Sequence, residues 1–129
     1  MQDRHPYEYA VIRFVPLVER EEFLNIGVIL YCKDHRFLEA AFTLDEKRLG
    51  AFSSSFDIQD IENHLRSFEK ICIGGPEGGA IGTLPIADRF RWLTATRSTI
   101  LQCSKVHIGF CEKPGETLLR LHKQLVLPI

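Results

Sequence analysis

Hydrophobic and polar positions alternate along the first third of the chain in three runs. YEYAVIRFVP, residues 7–16, is rich in β-branched and aromatic types and reads as a strand, as do residues 23–32 and FLEAAFTL at 37–44. Strand side chains point to opposite faces with a period of two, so Leu24, Ile26, Val28 and Leu30 share one aliphatic face, matched by Leu38, Ala40, Phe42 and Leu44. Pairing those faces in an antiparallel hairpin requires an even sum of residue numbers. That selects an odd loop, Lys33-Asp34-His35, with His35 left-handed. The same parity sets Phe14 across from Leu24, Ile12 from Ile26 and Ala10 from Val28.

After Asp45 the period lengthens. EKRLGAF supplies a short helical turn, and Asp57 is the expected N-cap, with Asp60 three residues on, of a helix over 58–71 whose stripe is Ile58, Ile61, Leu65, Phe68 and Cys72. GGPEGGAIG, with five glycines and a proline in nine residues, reads as a flexible connector. A further helix opens at Pro85 and runs through Ile86, Phe90 and Leu93, STILQCS reads as a later strand, and Pro114 to Leu127 closes the chain as an amphipathic helix. The expected fold is α+β: one domain over 1–129, with an antiparallel meander sheet covered by two to three helices.

Composition narrows the function classes. A formal net charge of −1 gives no global field for nucleic acid or an anionic membrane. The longest apolar run, Ile26 to Cys32, is too short to cross a bilayer, and MQDRHPYEY lacks a signal-peptide layout, so the cytoplasm is expected. Cys32, Cys72, Cys103 and Cys111 form no CxxC pair and read as reduced, buried thiols. Cys103, His107 and Cys111 stand four apart but lack a fourth ligand, so no metal and no cofactor is expected. GGPEGGAIG lacks the lysine of a phosphate loop, and His64, His107 and His122 sit in no recognisable catalytic setting.

Two clusters carry candidate chemistry. Opposite the aliphatic face, parity pairs Arg13 with Asn25, Val11 with Gly27 and Tyr9 with Ile29, so Gly27 leaves space beside an arginine, an amide and a tyrosine. Arg13 offers a rigid fork of donors and Asn25 a donor and an acceptor, which suits a carboxylate or phosphate. The competing reading pairs Arg13 with Glu21 or Glu22 and makes Gly27 a bulge. RFRWLTATRS, with Arg89, Arg91, Trp92, Arg97 and Ser98, can grip phosphates or anchor a protein interface; its competing reading is an amphipathic helix with solvated arginines.

The run YEYAVIRFVPLVEREEFLNIGVILYC, followed by RFRWLTATRSTILQCS, CEKPGETL and LHKQLV, resembles the bacterial family of domain of unknown function 3037 over nearly the whole chain. The resemblance singles out Arg13, Glu22, Asn25, Gly27, Arg89, Trp92 and Ser98 and brings no catalytic role. It implies an intracellular accessory protein encoded beside a HipA-like kinase, an association of toxin–antitoxin type. The leading expectation is a non-enzymatic binding or regulatory module whose partner is a protein such as that kinase, contacted through Arg89, Trp92 and Arg97. The alternative is an enzyme or sensor acting on a phosphorylated small molecule or nucleic-acid end through Arg13 and Asn25.

Overall fold

The early strands form where the alternation puts them: β1 is His5–Phe14, β2 Leu24–Cys32 and β3 Phe37–Phe42, an antiparallel meander in a computed structural model that describes residues 3–53, 56–95 and 99–128. Two short strands, β4 at Leu101–Cys103 and β5 at His107–Cys111, both pair antiparallel with β1. The sheet order is therefore β3-β2-β1, with β4 and β5 sharing the far side of β1. β5 escapes the alternation rule because its apolar residues, Ile108 and Phe110, point outward.

Helices follow the longer period. α1 (Glu46–Phe52) is capped by Asp45, whose side chain accepts from the amides of Lys47 and Arg48, and α2 (Ile58–Ile73) by Asp57, which accepts from the Gln59 amide. The glycine-rich segment is more regular than a flexible connector: a 3-10 turn at Pro76–Gly78 leads into one helical turn, α3 (Gly79–Gly82). Positive φ at Gly74, Gly75 and Gly79 gives the chain the sharp path that this requires. α4 (Ile86–Thr94) and α5 (Pro114–Leu125) complete the α+β architecture.

Both faces of the sheet are covered. On one, Ala10, Ile12, Phe14, Ile29 and Tyr31 pack with Leu49 of α1, Ile61 and Leu65 of α2, and Phe90 and Leu93 of α4. On the other, Tyr7, Val28, Leu30 and Cys32 pack with Leu118 and Leu121 of α5 and with Val126 just beyond it. Two-sided burial corrects the expected register. Phe14 faces Leu24 and Arg13 faces Asn25 as parity requires, but the register then shifts, so that Ile12 faces Gly27, Val11 faces Val28 and Ala10 faces Ile29. Ile26 is the extra residue of this β-bulge, and the Thr43 amide donates to its carbonyl at 2.8 Å. Beyond the bulge Val28 and Leu30 turn to α5 while Ile29 and Tyr31 turn to the other core.

The β2–β3 pairing is corrected with it. Gly27 faces Phe42 and Val28 faces Ala41, an odd sum rather than an even one. The turn is a 3-10 turn at Lys33–His35, and Arg36, not His35, takes the left-handed conformation at φ 49°.

Candidate functional site

Arg13 lies on the α5 side of β1, between Asn25 on β2 and Gln102 on β4. Its guanidinium stacks on the Phe23 ring, with Cζ 4.0 Å from the ring centroid. Neither alternative partner holds it: Arg20 Nε donates to Glu22 Oε1 at 2.5 Å on the exposed surface. Asn25 Nδ2 donates to the Leu125 carbonyl at 3.2 Å, at the end of α5. The next carbonyl, of Val126, accepts from Arg48 Nη1 at 3.0 Å. Arg13 Nε and Asn25 Oδ1 are buried, and neither has a hydrogen-bond partner among the described residues.

Gly27 does not open this niche. The bulge turns it to the other face, where an added Cβ would come within 2.8 Å of the Ala41 carbonyl oxygen and 2.9 Å of Phe42 Cβ. Close packing, rather than a pocket, requires glycine there. Glu22 likewise lies apart, beside Leu17, Arg20 and Phe52. Phe23 is the residue that sequence reading passed over. Its signal was present, because period two from Asn25 puts it on the face of Arg13.

The arginine–tryptophan cluster sits on the opposite side of the sheet. Arg89 is committed to the fold: Nη1 donates to the carbonyls of Ile71 and Cys72 at 2.9 and 2.8 Å, and Nε donates to Leu84 at 3.0 Å. It thus binds the carbonyl end of α2, where a cation also complements the helix dipole. Arg91 is exposed, and Trp92, 38% exposed, lines an apolar cleft of about 250 Å³ with His64, Phe68 and Leu101. Arg97 and Ser98 lie outside the described residues.

The soft side chains are dispersed. Cys103 belongs to the α2–α4 side and donates to the Leu93 carbonyl, whereas Cys111 lies in the α5 core and His107 stacks on Tyr9 at 5.2 Å. Among the described residues no group of His, Cys, Asp and Glu could hold a metal. Burial pushes the Cys72 thiol up to about 12, so it stays protonated. His122, lowered by burial, shares a 2.9 Å hydrogen bond with Thr43 Oγ1 and serves packing.

One surface stands out against this satisfied interior. β5 pairs only with β1 among the described residues, and it exposes Ile108 at 77% and Phe110 at 62%. At the opposite edge of the sheet, β3 is flanked by α2 and α5 and presents the charged, exposed Glu39. The residues that carry the matching family model span 9–126, from the β1 strand to the end of α5. The chain belongs to the DUF3037 family, described as a protein of unknown function. No curated protein and no solved structure matches it. Within this DUF3037 chain, Arg13 and Asn25 share one niche, Arg91 and Trp92 lie across the sheet from it, and Arg89 is a structural clamp. No helix among the described residues is long and apolar enough to cross a membrane.

Proposed function

We propose that this protein is a non-enzymatic binding module that takes an extended segment of a partner protein along the free edge of β5. The observation that carries the reading is the pairing of an open strand edge with two exposed apolar side chains, Ile108 and Phe110. Sheet edges are ordinarily blunted by charge, proline or a covering element, and none of these lies within β5 itself. Strand addition satisfies the free backbone groups of such an edge, and alternate side chains of the added segment cover its apolar face. Arg4, whose Cζ lies 5.6 Å from the Phe110 ring centroid, supplies a cation at the rim. A HipA-like kinase, suggested by the family resemblance, is the first partner to test.

Co-expression with such a kinase, followed by size exclusion, tests the proposal. The expected result is a complex that Ile108→Asp with Phe110→Glu weakens by about tenfold or more, a loss of about 1.4 kcal/mol. Amide exchange should slow at residues 107–111 on complex formation. No complex with the natural chain, or one unaffected by the double variant, overturns the proposal. Weakening by Trp92→Ala alone moves the interface to α4, and a homodimer dispersed by the β5 variant assigns the edge to a second copy.

A further inference from the structure

The Arg13 niche contains two polar atoms that the fold leaves unanswered. Asn25 Nδ2 is committed to the Leu125 carbonyl, which fixes the amide orientation, because the flipped amide would set oxygen against oxygen. Its buried Oδ1 is therefore an acceptor without a donor among the described residues. Across the strand pair, Arg13 Nε is a buried donor without an acceptor, and the guanidinium has no ion pair or hydrogen bond with any described residue. A buried group left unsatisfied costs about 1–3 kcal/mol, so adjacent orphans of opposite kind form an unusual arrangement to maintain.

We infer that Arg13 and Asn25 form a receptor for a small carboxylate that carries an N–H or O–H donor beside the charged group. The arginine fork takes the carboxylate side-on, and Asn25 Oδ1 takes the neighbouring donor. Phe23, 42% exposed and stacked on the guanidinium, is the cover past which the ligand enters. A phosphate dianion fits less well. The helix end beside the niche is the carbonyl end of α5, which disfavours added negative charge, and Asn25 turns a bare oxygen to the site.

This inference is independent of the β5 interface and can fail without it. The test follows the Arg13 side-chain Nε–H resonance of the full chain while N-acetylglycine, acetate, N-acetylglycinamide or inorganic phosphate is added. N-acetylglycine should shift that resonance and bind about tenfold more tightly than acetate, with no response to the neutral amide. Arg13→Lys, which keeps the charge but loses the fork, should weaken N-acetylglycine by about tenfold while retaining the dispersed spectrum of a folded chain. An unmoved Nε–H with every probe assigns the niche to bound water and overturns the receptor. Equal responses to acetate, phosphate and N-acetylglycine, or undiminished binding by Arg13→Lys, reduce it to adventitious anion binding. A preference for phosphate overturns the carboxylate assignment.

Discussion

Arg89 and Gly27 show how far residue type alone reaches. An arginine beside a tryptophan looks the same in sequence whether its donors face a partner or the carbonyls of Ile71, Cys72 and Leu84. Only the return of α4 against α2 decides it. Gly74, at φ +85°, belongs to the same clamp, because an added Cβ would come within 2.7 Å of Arg89 Nη1. Arg89→Ala is expected to destabilise the fold by about 2–3 kcal/mol, read as a lower denaturant midpoint at unchanged slope. Gly27→Ala should cost about 1–3 kcal/mol by overpacking against Ala41 and Phe42, without changing binding at the Arg13 niche. The glycine was legible as a special position. Its side of the sheet was not, because the bulge that sets it depends on tertiary packing.

At the scale of elements, the strands and helices of the first half were legible because their periods are clean. β5 was hidden because its inward positions are His107, Gly109 and Cys111, and Gly109 is needed where the Tyr7 ring would meet a Cβ within 2.5 Å. Two histidines fasten elements with opposite pH responses. His5 Nδ1 lies 2.8 Å from Asp34 Oδ2, and this hydrogen bond, followed by the charge of Asp3, raises its pKa above 6.5. Its folded pKa exceeds the unfolded one, so the tie from β1 to the 33–35 turn is complete below pH 6.5 and is lost as pH rises through the folded value. His122 behaves in reverse: burial lowers its pKa, so its contribution is complete above 6.5 and falls as pH drops below it. Histidine proton shifts followed against pH should show His5 titrating above, and His122 below, a free histidine. Asp34→Asn should return His5 towards 6.5.

For the whole molecule, α+β and the meander were legible from the alternation between strand and helix periods. Burial of the sheet on both faces was not read, although LNIGVILYC, nearly unbroken in its apolar residues, is the signature of a strand covered on both sides. Central β1 and β2, which contribute to both cores, should hold the slowest-exchanging amides, with β4 and β5 opening at lower free energy in native-state exchange. The bulge at Ile26 has a consequence for how the chain tolerates change. Deleting Ile26 would only straighten β2 and leave every later residue on the face it now holds, but pairing Ile26 in the ladder without the bulge would act on the sheet as a frameshift acts on a message. Val28, Leu30 and Cys32 would exchange places with Ile29 and Tyr31. Each would still be apolar, and each would meet the wrong core: composition intact, meaning lost.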